Sequence, residues 1–180
     1  MSSSRLHITA LAALLGGAAF VFTGAIQATH GDFGGTHNTL DSTAEYLVTA
    51  GFALALFLTA PAYRVLGALA GAPRLGIAAM VPQLVVGAMC VVSVVNGEDP
   101  SVFNAVAPAC ILTWLGASIA LGVKLRRAGT VPTRLALALP FLVIVTLALS
   151  PVGGPLLTGA FWLALATHVL RQGEPQAALA

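Results

Sequence analysis

Every lysine and arginine in this chain falls in alternate gaps between six apolar stretches, and no gap of the opposite phase holds one. The eight cations are Arg5, Arg64, Arg74, Lys124, Arg126, Arg127, Arg134 and Arg171. The intervening gaps carry Asp32, Asp41, Glu45, Glu98 and Asp99. Basic loops stay on the cytoplasmic side during insertion, so the alternation sets both the number of spans and their direction. The expected fold is all-α: a polytopic bundle of six transmembrane helices with both termini cytoplasmic.

Composition agrees. The chain has 180 residues, of which 58% are hydrophobic and 8% charged, where soluble domains carry about 25% charged residues. Six spans of roughly 20 residues, the length a bilayer core requires, use most of the chain. The expectation is therefore a single integral membrane domain over 1–180, multi-pass in the cell membrane. The formal charge of +2 is spread over several loops, as topology demands, and does not form the basic patch of a nucleic-acid binder. Cys90 and Cys110 lie inside apolar stretches without a C-x-x-C pattern, which fits free structural thiols.

Local signals place the spans near 8–29, 45–63, 74–95, 101–123, 133–149 and 156–170. The apolar core of the first, 8–26, is longer than the roughly 7–15 residues of a signal peptide and lacks a small-residue cleavage site. It reads as a retained helix. Ser42 and Glu45 are spaced as a capping box. Pro73, Pro100, Pro132 and Pro155 each head an apolar run, where a missing N–H costs least. Asp99, ahead of Pro100, is placed to cap the fourth helix. The stretch from Arg64 to Ala72 reads as a cytoplasmic connection. Spans two, four and six all run into basic segments, a faint echo of three stacked hairpins. The requirement that every inward-ending helix carry a basic stop explains the same echo.

Two regions could carry chemistry. The 30–41 loop holds His30, Asp32, His37 and Asp41 among glycines, and imidazole with carboxylate can bind zinc or another divalent cation. A solvated glycine-rich connection explains the same residues, since the His30-to-His37 spacing matches no established metal pattern. Asn96, Glu98, Asp99 and Asn104 form a second polar group on the same side. Within the spans no ionisable residue sits at mid-membrane, which argues against an ion-coupled pump. The polar set there is Thr23, Thr49, Gln83, Ser93, Thr113, Ser118, Thr146 and Thr158. Gln83 follows Pro82, and a ligand could be held by Gln83, Asn104 and Thr49 beneath the 30–41 loop. Hydrogen bonding between helices is the plainer use of such residues. Ala10, Ala13, Gly17 and Gly24 share one face of the first span, and Ala109, Thr113, Gly116 and Ala120 one face of the fourth. Small faces let helices approach closely, within the chain or against a partner. Haem would want a second intramembrane histidine beside His168, and the sequence has none.

The Gly/Ala-rich first span, the His- and Asp-bearing segment 27–41 and the Glu45-Tyr46-Leu47 opening of span two resemble the small six-helix membrane proteins of unknown function common in GC-rich bacteria. The resemblance implies a fold and a membrane address, and no activity. Size and topology are also similar to the substrate-binding subunits of vitamin importers, whose first outer loop acts as a lid. The leading functional expectation is a non-enzymatic membrane protein with an accessory, partner-binding or regulatory role, its neighbours being lipid and a membrane protein or a second copy. The alternative is a small-molecule binding or transport subunit. An enzyme is disfavoured because no nucleophile stands with a base, and no cofactor is implied beyond the divalent cation of the loop. If the loop binds that cation, zinc or manganese should raise the melting temperature at pH 7.5. The gain should fade below about pH 6.5, where imidazole protonates, and vanish in His37→Ala. Equal shifts in both proteins, or none, would remove the metal from consideration.

Overall fold

A computed structural model describes residues 3–30 and 39–177, with side chains over 6–30 and 39–170. Six α-helices run in chain order: α1 (Ser3–His30), α2 (Thr43–Leu69), α3 (Pro73–Asn96), α4 (Phe103–Ala128), α5 (Thr133–Ala148) and α6 (Gly154–Ala177). A single 3₁₀ turn, Ser150–Val152, joins the last two. Over their described residues α1 to α4 are long and apolar enough to cross a membrane, and α5 and α6 are shorter apolar helices. Among the described residues the only β pairing is one isolated bridge, Thr39 to Glu98.

Each helix packs on its neighbours in sequence, and α6 returns to α1, so the order closes on itself. Three hairpins stacked in a row would leave the first and last helices apart. The closure depends on residues without side chains. A Cβ added at Gly17 would lie 3.0 Å from the carbonyl oxygen of Gly159, and one added at Gly159 would lie 2.5 Å from that of Gly17. On the neighbouring side of α1, about 100° round the helix, a Cβ at Gly16 would meet Thr59 of α2 at 2.7 Å. The predicted small face of the first span thus packs inside the protein, with Ala10, Ala13, Gly17 and Gly24 all buried.

Helix boundaries follow the sequence signals in part. The Ser42 hydroxyl accepts from the Glu45 N–H at 3.2 Å, and Glu45 Oε2 accepts from the Ser42 N–H at 2.9 Å, the reciprocal pair expected of a capping box. Pro73 sits in the first turn of α3, as its fixed φ favours. Several boundaries differ from the sequence reading: α1 starts at Ser3, α4 runs on to Ala128 and α6 to Ala177, and two more differences have a visible cause. Arg64 belongs to α2, which continues to Leu69 because Leu66 and Gly67 extend its buried face onto α3. The fourth helix starts at Phe103, not 101, behind a turn in which the Phe103 N–H donates to the Pro100 carbonyl. Its N-cap, Val102, has no side chain to bond the first N–H groups, and Asp99 takes no part in capping.

The core is apolar and aromatic. Tyr63 of α2 meets Trp162 of α6 edge to face, with centroids 5.3 Å apart, and Trp114 of α4 at 6.4 Å. Phe161 continues the cluster against Trp162 at 5.6 Å. Such pairs add about 0.5–1.5 kcal/mol each beyond area burial in water-soluble hosts. Leu15 points away from all this and is 63% exposed.

Gly17→Leu should therefore destabilise the protein by about 1–3 kcal/mol, since a side chain there must push α6 off α1. Leu15→Ala should have little effect. Thermal melts of the two variants in one detergent check this; equal midpoints would mean that the small face does not pack.

Candidate functional site

The acidic ends of the helices carry most of the polar chemistry, and backbone pairing joins their two polar groups. The Leu40 N–H donates to the Gly97 carbonyl at 2.8 Å, beside the Thr39–Glu98 bridge. The last residues of the 30–41 loop are thereby fastened to the α3–α4 turn. That turn is set by Gly97, whose φ of +75° is open to glycine at little cost and closes α3 through its N–H on the Ser93 carbonyl. The Tyr46 hydroxyl fills the space beside it: a Cβ at Gly97 would come within 2.8 Å of that oxygen. On the same turn the Ser93 hydroxyl donates to Asp99 Oδ1 at 2.6 Å and also lies 3.1 Å from the Met89 carbonyl. A carboxylate that accepts a buried hydroxyl proton is held by a short charge-assisted bond. Asp99 is thus a brace for the turn and not a helix cap.

Of the residues considered for a cation, Asp32 and His37 lie outside the described residues. His30 ends α1 and is exposed, and Asp41 is exposed beside the start of α2. The Asp41 carboxylate accepts from the Thr39 hydroxyl at 3.2 Å, and its backbone N–H donates to Glu45 Oε2 at 2.6 Å. Among the described residues no three histidine, cysteine, aspartate or glutamate side chains stand close enough to share a metal ion.

Gln83, Asn104 and Thr49 are placed at different levels. Gln83 is fully buried between α2 and α3. Its Nε2 donates to the Ala79 carbonyl at 3.0 Å, and its Oε1 lies 3.3 Å from the Thr59 hydroxyl, which donates mainly to the Ala55 carbonyl at 2.8 Å. Thr49 is ten residues before Thr59 on α2, about 15 Å along the axis at 1.5 Å per residue. Asn104 is exposed in the first turn of α4. Gln83 therefore serves as a polar tie between two helices. Thr59, its partner, was not among the mid-membrane residues the sequence singled out, although the i, i+4 relation to Ala55 is the ordinary way a helical threonine satisfies its hydroxyl. A cavity of about 30 Å³ lies elsewhere, towards the other ends of α1, α2 and α6, lined by Leu6, Thr9, Leu69, Trp162 and Val169 among others.

Three further threonine hydroxyls repeat that pattern. Thr23 donates to Ala19, Thr113 to Ala109 and Thr146 to Leu142, each to the carbonyl four residues back. Thr146 also meets Thr158 across α5 and α6 at 2.6 Å. Gln27 near the end of α1 donates to the Ser150 hydroxyl at 2.7 Å, fixing the α5–α6 turn against the first helix.

The second small-residue face behaves unlike the first. Ala109, Thr113 and Gly116 are exposed on α4, and a Cβ built at Gly116 meets nothing within 4 Å. Leu112 and Ile119 flank them, 68% and 49% exposed. Comparison with protein-family models, with curated proteins and with solved structures finds no match to this chain.

Proposed function

We propose that this chain is a non-enzymatic protein of the cell membrane with six spans and both termini cytoplasmic, and that it acts by holding a partner helix against α4. The observation that carries the reading is the contrast between the two small faces. The α1 face is consumed by α6, whereas the α4 face, Ala109, Thr113 and Gly116, is turned outwards with open space over Gly116. Lipid is as apolar as leucine, so a helix gains from small residues only where another backbone comes close. The partner is a second copy or another membrane protein.

The orientation rests on charge. Arg64, Arg74, Lys124, Arg126, Arg127 and Arg134 stand on the α2–α3 and α4–α5 ends, opposite Asp41, Glu45, Glu98 and Asp99. The 16 residues of α5 rise only about 24 Å against a hydrocarbon core of roughly 30 Å. A mismatch of that size is met by local thinning of the bilayer or by the apolar residues flanking the helix, such as Val131 and Leu149, at modest cost. Single cysteines in a background with Cys90 and Cys110 replaced, probed in intact cells with an impermeant thiol reagent, test the topology. Positions 41 and 98 should label, and positions 64 and 126 should not. Labelling at 126 would reverse the assignment.

The partner surface has its own test. Gly116→Leu fills open space, so the melting temperature should stay within about 2 °C of wild type, the range of a neutral surface change. It should nevertheless abolish recovery of a differently tagged second copy, or of a specific membrane protein, in mild detergent. Unchanged recovery with Gly116→Leu would sink the α4 reading.

A second reading is favoured by the Leu40–Gly97 bond. A loop fastened at its far end across the α3–α4 turn is suited to cover a small-molecule site, as in a binding or transport subunit. A ligand held there would have to engage Thr49 or Asn104 from the acidic end, with Gln83 deeper in.

A further inference from the structure

Four helices carry a proline inside them: Pro61 in α2, Pro82 in α3, Pro108 in α4 and Pro140 in α5. Proline has no N–H, so each deletes one bond of its helix ladder, and its ring crowds the carbonyl four residues back. Two of the four stand opposite each other. Gly67 packs on Gly76, the Phe57 ring lies against Gly87, and the Thr59 hydroxyl stands 3.3 Å from Gln83 Oε1. These pairings set the register of α2 against α3 and bring Pro61 level with Pro82. The α4–α5 pair is built otherwise. Gly122 faces Ala136 there, which sets Pro108 and Pro140 about 15 Å apart along the axes at 1.5 Å per residue.

Ties between α2 and α3 lie on both sides of the paired prolines. Thr59 with Gln83 pins the halves towards the acidic end, and Gly67 with Gly76 pins the halves towards the basic end. Between the two ties both ladders are interrupted. The stretch 62–81 is thus a hairpin tip, held together at its own glycine crossing and joined to the rest of each helix through one proline.

The surroundings of α2 change at the same level. On the acidic side of Pro61 it sits closely on α1, where a Cβ at Gly51 would lie 2.6 Å from Thr23 Oγ1 and one at Gly16 2.7 Å from Thr59. Beyond Pro61, α1 and α2 enclose with α6 the apolar cavity of about 30 Å³. The four α2 residues that line it, Ala62, Val65, Leu66 and Leu69, all follow the proline. Val65 and Leu69 are only half-buried. A void forfeits the dispersion contacts that would otherwise hold the tip against α1 and α6. Tyr63, packed on Trp162 and Trp114, is two residues from Pro61 and stays near the pivot.

We propose that residues 62–81 swing as one unit on Pro61 and Pro82, and that the swing widens and narrows the cavity between α1, α2 and α6. Sharp bends in helices concentrate at proline, and a hinge of a few residues is enough to move a packed pair as a body. Leu69 stands about 12 Å beyond Pro61, so a swing of about 20° carries it about 4 Å. The device does not depend on a partner at α4.

Spin labels on the full chain in lipid nanodiscs, with Cys90 and Cys110 replaced, read the motion as a distance distribution. One pair, at Ala68 and Thr167, joins the exposed side of the tip to α6; a second, at Leu54 and Leu157, joins the same two helices on the acidic side of the prolines. The first distribution should be broader than the second by about 4 Å, the travel of the tip. In the double variant Pro61→Ala, Pro82→Ala, which restores both ladder bonds, it should narrow to the width of the second. A first pair as narrow as the second in the wild type, or a width unchanged in the double variant, would overturn the hinge. Should the double variant fail to fold, the comparison of the two wild-type pairs decides alone.

Discussion

Helices in hydrocarbon gain nothing from hiding apolar side chains, so the architecture depends on how closely backbones approach. At the crossing of α1 and α6, Gly17 and Gly159 face each other across a space that no side chain could share. The α2–α3 crossing follows the same rule at Gly67 and Gly76, where an added Cβ on the first would reach the Cα of the second at 2.7 Å. Dispersion falls steeply with distance, so the short separation is what converts many weak contacts into a stable crossing. The aromatic cluster of Tyr63, Trp114 and Trp162 then fills the space that the helices enclose.

Polar side chains divide into two kinds. Threonines 23, 113 and 146 return their protons to their own helices and so cost little in an apolar setting. Others reach across: Gln83 with Thr59, Gln27 with Ser150, and Thr158 with Thr146, which takes part in both. These lateral bonds are individually modest, of order 1 kcal/mol in membranes. Their value lies in selecting one rotation of each helix, because apolar faces alone permit several.

Much of the fold was legible because it rests on local chemistry. The Ser42–Glu45 box, the first-turn Pro73 and the apolar lengths each have causes within a few residues. The end of α2 was not, since the continuation past Arg64 depends on Leu66 and Gly67 finding α3. Asp99 was misread for a related reason. Its position before Pro100 suits a cap, but a hydroxyl six residues upstream competes for it, and only the turn at Gly97 brings that hydroxyl near. The two small faces look alike in sequence. Which of them is covered depends on helix order, a property that no single helix encodes.

The closure of α6 on α1 also orders events during synthesis. Gly159 leaves the ribosome roughly 140 residues after Gly17, and contacts of such sequence separation form late. Through that interval α1 can pair with α2 through Gly16 and Thr59, but its Gly17 face waits for α6. Of the six helices described, α1 is made before the others and is among the last to have its surroundings completed. A ribosome that stalls before α6 leaves behind a protein whose glycine seam is open to any neighbouring helix.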